Sequence, residues 1–185
     1  KLSSMSNHSD KEILHLFNNP ETKKQGFNLL VRTFQERVYF HVRKIVIDHD
    51  DANDVVQNIF LKVWKALPNF KGKSKIYTWL YRISTNECLT FLKNNRKHLF
   101  SSIEDITEEL TSKIEGSYFD GNEIELKLQK AILTLPNKQR LVFNMRYYDE
   151  IKYKEMAEIL ETSVGALKAS YHHAKQKIKK YLKNN

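Results

Sequence analysis

The chain has 185 residues, 41% of them hydrophobic, and sets 31 Lys and Arg against 22 Asp and Glu for a formal charge of +9. That length holds one domain or two small ones with packed cores, and the charge favours a polyanionic partner. A lone cysteine, Cys88, excludes a disulfide framework or a CxxC metal site, and the absence of a long apolar run or visible signal peptide makes a cytoplasmic protein the expectation.

Five glycines, three prolines and few alternating β-branched stretches predict an all-α chain. Lys1 to Asp10 is polar and reads as loose, with Met5 readable as an internal or original start. Lys11 to Asn18 carries a short apolar pattern that ends before Pro20. From Gln25 to Val46, Phe27, Leu30, Val31, Phe34, Val38, Tyr39, Val42 and Ile45 recur at spacings of three and four, which predicts a long amphipathic helix. His49, Asp50 and Asp51 break it, and Asp50 or Asp51 is the expected N-cap of the next helix.

Asp50 to Lys97 predicts two helices joined by a loop at Pro68 to Ser74. In the first, Ala52, Val56, Ile59, Phe60, Val63 and Leu67 share an apolar face. Asp54, Gln57, Asn58, Leu61 and Lys65 lie opposite, with Trp64 on the flank. Leu61 is then either an anchor for a protein partner ringed by polar contacts or a stray Leu on a solvated face. The second helix, Ser74 to Asn94, turns Ile76, Leu80, Ile83 and Phe91 inward. Lys75, Thr78, Arg82, Thr85, Asn86 and Lys93 share the opposite face, with Trp79 at its border. Phe70, Tyr77, Trp79 and Tyr81 interleave with Lys71, Lys73, Lys75 and Arg82, which suits unstacked bases on a phosphate strand. Tyr77 and Tyr81 suit packing on a neighbouring helix equally well.

Lys97 to Asn122 loses periodicity. Between Glu104 and Glu125 stand eight acids and one base, a net −7 that leaves +16 on the rest, so an acidic linker separates two basic blocks. Helices are predicted again from Glu123 to before Pro136, from Pro136 in a first turn to Tyr148, and from Tyr153 to Leu160 and Val164 to Leu182. The last two, joined at Glu161 to Ser163, have the spacing of a helix-turn-helix. On the final helix Val164, Leu167, Tyr171, Ala174, Ile178 and Leu182 fall inward. Ala169, His172, His173, Gln176 and Lys180 face out, with Lys168, Lys175 and Lys179 along one edge and no acid after Glu161. This is either a major-groove face, with Gln176 and the histidines at base edges, Ala169 at a thymine methyl and lysines at phosphates, or a solvated basic helix.

Nothing in the sequence supports catalysis. His172 and His173 point about 100° apart on a helix and make a poor chelating pair, and no HExxH, phosphate-cradling Gly loop or nucleophile triad occurs. A lone helix-turn-helix regulator would account for Leu135 to Leu182 and leave the aromatic, cationic stretch and the Leu61 face without a role.

The run DANDVVQNIFLKVWKALPNFKGKSKIYTWLYRISTN resembles the second conserved region of bacterial RNA polymerase sigma factors, in the extracytoplasmic-function (ECF) group of the sigma-70 family. LPNKQRLVFNMRYYDEIKYKEMAEILETSVGALKASYHHAKQKI resembles their fourth region, with Ala166 and Leu167 where the family commonly has Thr and Val, and His172, His173 and Lys175 where it often has Arg. The resemblance implies two small helical domains, a region 2 bundle over 1–97 and a region 4 helix-turn-helix over 123–185, with the acidic linker at 98–122 between them. It implies that Asp54, Gln57, Asn58, Leu61, Trp64 and Lys65 dock on the clamp helices of the polymerase. Phe70, Lys71, Lys73, Ser74, Lys75, Thr78, Trp79, Arg82 and Asn86 would capture the opened −10 strand. Lys168, Ala169, His172, His173, Lys175, Gln176 and Lys179 would read the −35 duplex. The implied partners are core RNA polymerase, promoter DNA and an anti-sigma factor; no cofactor, metal, small-molecule substrate or membrane insertion is expected.

Overall fold

A computed structural model of the chain describes residues 10–94 and 123–184, and among these residues every regular element is helical. The expectations for Lys1 to Asp10 fall almost wholly, and those for the acidic linker at 98–122 entirely, outside them.

The first four helices are α1 (Asp10–Asn18), α2 (Lys23–Val46), α3 (His49–Ala66) and α4 (Ile76–Asn94). They bury most of the apolar faces that the spacing predicts: Leu30, Phe34, Val38, Val42 and Ile45 from α2, Ala52, Ile59 and Val63 from α3, Ile76 and Leu80 from α4; Val56, Phe60, Ile83 and Phe91 are half-buried, and Val55, outside the predicted face, is buried. Helix α1 crosses α2 at Gly26, where a Cβ would lie 2.4 Å from the Phe17 backbone nitrogen, so the close approach depends on the missing side chain. Asp10 reaches from α1 to the start of α4, where its carboxylate accepts from Ile76 N at 2.9 Å and satisfies one of the open donors of that helix end.

Between α2 and α3 the chain turns sharply at Ile47, with φ 73° and ψ −45°, and Asp48 N donates to Val46 O at 3.0 Å in a three-residue turn. A β-branched residue at positive φ is strained, and Ile47 is held there by burial of its side chain. The N-cap of α3 is Asp48, two or three residues earlier than the sequence suggests. Its carboxylate accepts from Asp50 N at 2.9 Å and Asp51 N at 3.0 Å, leaving Asp50 and Asp51 in the first turn. A 3-10 turn at Leu67–Asn69 then leads into the loop, which bends at Gly72 with φ 67°.

The second group is α5 (Glu123–Leu133), α6 (Asn137–Tyr147), α7 (Tyr153–Leu160) and α8 (Val164–Asn184). Pro136 stands just before α6, at its N-cap, and not within its first turn. Glu161 takes a left-handed conformation, φ 49°, to close α7, and α8 begins after three residues. Ala131, Ile132, Leu135, Phe143, Ala174 and Ile178 form a core of their own. Leu182, expected to face inward, is exposed at the end of α8.

The two groups also touch. Leu141, Val142, Met145, Ile151, Met156, Ile159 and Leu167 of the second belong to the same continuous buried cluster as the core of the first, and α7 packs on α4 while α6 packs on α2.

Candidate protein and nucleic-acid interfaces

Helix α3 presents Asp54, Gln57, Asn58, Leu61 and Lys65 to solvent, with Leu61 56% exposed at the centre. A large apolar side chain surrounded by polar ones is the composition of an interface anchor. Trp64 differs from its neighbours. It is half-buried, edge-on to Phe17 at 5.7 Å and Phe27 at 4.9 Å, with Lys23 Nζ 5.2 Å from its ring. Its indole therefore fastens α1 and α2 to α3 and supports the Leu61 face from the side.

The loop and the start of α4 carry the second face. Lys71, Lys73 and Lys75 are exposed, Ser74 is half-buried, and the Phe70 and Trp79 rings lie 5.1 Å apart at 49°. Both rings keep part of their surface in solvent beside the lysines. Asn86 is exposed further along α4.

Thr78 and Thr85 do not stand on this open face as the helical phase suggests. Thr78 is 2% exposed and Thr85 is buried with a 2.9 Å hydrogen bond to His41 Nε2. The periodicity that counts them as outward assumes that α4 is covered on one side only. Here α4 is packed by α2 and α3 and also by α7, so the buried arc is wider than one apolar stripe. Arg82 lies at the edge of the covered arc, with Nη1 3.4 Å from Glu161 Oε1. Tyr77 and Tyr81 pack on each other at 4.3 Å, with Arg37 5.1 Å over Tyr77 and His41 4.5 Å from Tyr81. Burial pushes the Tyr77 hydroxyl up to about 12 and the Tyr81 hydroxyl further. Of their two sequence readings, packing is the one the structure takes.

On α8, Lys168, Ala169, His172, His173, Lys175, Gln176 and Lys179 are all exposed, while Leu167, Ala174 and Ile178 hold the helix to the domain. Lys175 lies 5.1 Å over the Tyr171 ring. Ser163 Oγ accepts from Ala166 N at 3.2 Å and caps the helix start. The long exposed side carries several cations and no acid, the electrostatic footprint of a phosphate-binding surface.

Sequence reasoning missed the contacts that run between the two groups of helices: His41 and Lys44 on α2, Arg140 and Asn144 on α6, and Asp149. Each is separated from its partner by some hundred residues, and helical spacing carries no sign of such pairs. Cys88 is fully buried and burial pushes its thiol up to about 12, which makes it unreactive. No group of His, Cys, Asp or Glu among the described residues is arranged to hold a metal, and no described helix is long and apolar enough to cross a membrane.

Comparison with known proteins agrees with this anatomy. The model of sigma-70 region 2 matches residues 30–98 and that of sigma-70 region 4 matches residues 125–178. The RNA polymerase sigma-H factor of Pseudomonas aeruginosa is 30% identical over 170 residues, covering 86% of this chain and 87% of its own length. The ECF RNA polymerase sigma-E factor of Escherichia coli is 30% identical over 164 residues, covering 84% and 85%. Among solved structures, CnrH in complex with the cytosolic domain of CnrY superposes with a TM-score of 0.68 over 96% of this chain and 99% of that one, at 21% identity. The sigma factor RpoE from Bartonella quintana, in complex with the anti-sigma factor NepR, gives 0.66 over 85% and 96%, at 19% identity. These two share the fold. With both conserved regions matched in order and relatives aligned along most of their length, the chain belongs to the ECF-type sigma factors of the sigma-70 family, non-enzymatic initiation factors that direct bacterial RNA polymerase to promoters.

Proposed function

We propose that the division of labour runs by face. Residues 1–97 act as the polymerase-binding and −10 domain, 98–122 as the connector, and 123–185 as the −35 domain. The exposed α3 face of Asp54, Gln57, Asn58, Leu61 and Lys65 docks on core RNA polymerase, with Trp64 positioning it from the side. Leu61 carries this assignment, because a large apolar side chain 56% exposed and ringed by polar ones has the composition of an interface anchor.

Phe70 and Trp79 stack on bases of the opened −10 strand while Lys71, Lys73, Lys75, Arg82 and Asn86 hold its phosphates and edges. Ser74 sits at the start of this surface, and Thr78 lies beneath it. Melting needs no covalent step. Binding energy given only to unstacked bases shifts the duplex equilibrium towards the open form. The α8 face of Lys168, Ala169, His172, His173, Lys175, Gln176 and Lys179 lies in the major groove of the −35 element, its lysines on phosphates and Gln176 at base edges.

Two of the fold neighbours were solved with a bound protein, the cytosolic domain of CnrY and the anti-sigma factor NepR. An inhibitor of this kind is proposed for this chain too, acting in the cytoplasm on the same exposed surfaces. Core polymerase reconstituted with the chain and footprinted on genomic DNA tests the whole assignment. Protection at two sites upstream of discrete start points is expected; a chain that neither joins core nor directs it to any start point overturns it.

A further inference from the structure

Helix α6 closes on three successive residues, Arg146, Tyr147 and Tyr148, that the helical turn sends to different neighbours. Tyr148 meets α2, with Lys44 Nζ 5.2 Å over its ring, and its hydroxyl accepts from Gln129 Nε2 at 2.6 Å. Arg146 closes the turn that follows, donating to Ile151 O at 3.3 Å, and lies 5.4 Å over the Tyr153 ring. Tyr147 makes neither kind of contact. It stacks on Phe143 at 5.2 Å and 18°, meets Tyr148 edge-on at 4.9 Å, and remains 50% exposed. Its hydroxyl makes no hydrogen bond among the described residues. Packing alone would be served as well by phenylalanine.

The same stack continues into α8. Phe143 also stacks on Tyr171 at 5.7 Å and 21°, Tyr171 meets Tyr153 edge-on at 6.4 Å, and Tyr147 lies close enough to Tyr171 to act electrostatically on its hydroxyl. Two exposed cations of the α8 face are seated on these rings, Lys175 at 5.1 Å from Tyr171 and Lys168 at 6.0 Å from Tyr153. Tyr147 is therefore continuous with the lysine edge of α8 through one aromatic array. A phenolic O–H at the margin of a positive surface is a donor suited to the anion that surface attracts. Held on two other rings, it also has little freedom to lose on binding.

We propose that Tyr147 is a further promoter contact: its hydroxyl donates to a backbone phosphate of the duplex beside the −35 element, and Phe143 and Tyr171 position it. This rests on the assignment of the α8 face to the −35 duplex. Tyr147 stands on α6, outside the helix assigned to base edges, so the contact adds affinity without reading sequence. A neutral donor displaces no condensed counterion. Its share of the affinity is therefore kept as salt rises, whereas that of the lysines falls.

The test uses holoenzyme reconstituted from core polymerase and the full chain, binding a labelled duplex that spans a footprinted start point. Tyr147→Phe keeps the ring on Phe143 and Tyr148 and removes only the donor. It should melt like wild type, join core with the same affinity and bind the duplex about tenfold more weakly, the worth of one hydrogen bond to a charged acceptor. The log–log salt slope should not change. Tyr147→Ala should lose at least as much duplex affinity, and Lys168→Ala should lower the slope. If Tyr147→Phe binds like wild type while Lys168→Ala lowers the slope, the proposal falls and the −35 assignment stands. If neither substitution alters binding, the −35 assignment falls and takes the proposal with it. A Tyr147→Phe chain that loses affinity for core, with duplex binding of the assembled holoenzyme intact, makes the ring a polymerase contact and also overturns the proposal.

Discussion

Replacing Leu61 by Ala and Trp64 by Ala should separate a docking residue from a supporting one, although the two are neighbours on one helix. Leu61 is 56% exposed and leaves no cavity when shortened, so Leu61→Ala should change folding stability by less than about 0.5 kcal/mol. Complete burial of a Leu side chain is worth about 1.5–3 kcal/mol. Covering roughly the exposed half on polymerase should therefore contribute about 1–2 kcal/mol, a loss of about five- to thirtyfold in affinity for core. Trp64 is already packed on Phe17, Phe27 and Lys23. Trp64→Ala should lower stability by about 3 kcal/mol and weaken core binding mainly through loosening of α1 and α2. Urea midpoints and fluorescence anisotropy with labelled core measure both quantities on the same samples. If Leu61→Ala binds core like wild type, or if Trp64→Ala is as stable as wild type, the assignment of roles on α3 is wrong.

Gly26→Ala should destabilise by about 1–3 kcal/mol, because its Cβ would sit 2.4 Å from Phe17 N, whereas Gly165→Ala meets nothing nearer than Ser163 Oγ at 4.0 Å and should stabilise by up to about 1 kcal/mol; thermal melts of the two show opposite signs. Asp48→Ala should cost about 1 kcal/mol through loss of the α3 cap, read from the urea midpoint. Single Ala substitutions at Lys168, Lys175 and Lys179 should each lower the log–log salt slope of holoenzyme binding to promoter duplex by about 0.9 if each lysine neutralises one phosphate. Asp149 titrates below its ordinary value of 3.8 in the folded chain, facing His41 and Lys44 with Tyr77 and Tyr81 nearby. Its stabilisation is therefore complete above that ordinary value and is lost as pH falls through the depressed one; in acid titrations the Asp149→Asn chain should show a shallower fall.

The helices of the described residues were legible because each has an apolar stripe of helical period, and the exposure of Leu61 was legible because it interrupts a polar one. The α3 cap was misplaced by two or three residues because Asp48, Asp50 and Asp51 are chemically alike, and only the turn at Ile47 decides which carboxylate faces the open N–H groups. Thr78 and Thr85 were read as outward because a period reports how a helix is covered on average. It does not report a second neighbour from seventy residues away, and α7 is such a neighbour. The exposure of the outward α8 residues was legible since solvent on that side leaves each residue where its phase puts it.

The seam between the two groups of helices is part polar and part apolar, and the two kinds of contact differ in what they cost to break. The apolar part of the seam, Leu141, Val142, Met145 and Met156 among others, is adhesive without being particular about register, and by itself would let the halves slide. Asp149 between His41 and Lys44 fixes one register. Its net contribution is modest, since desolvation of the charges offsets much of their attraction. Removing one partner leaves the other stranded in a dry site, so point substitution is costly. Parting the halves as units returns all three groups to water together, so opening is not. The expense of separating the two groups of helices is then set mainly by the apolar area. A seam with all three groups replaced by apolar ones of similar volume would be harder to part and less exact in register.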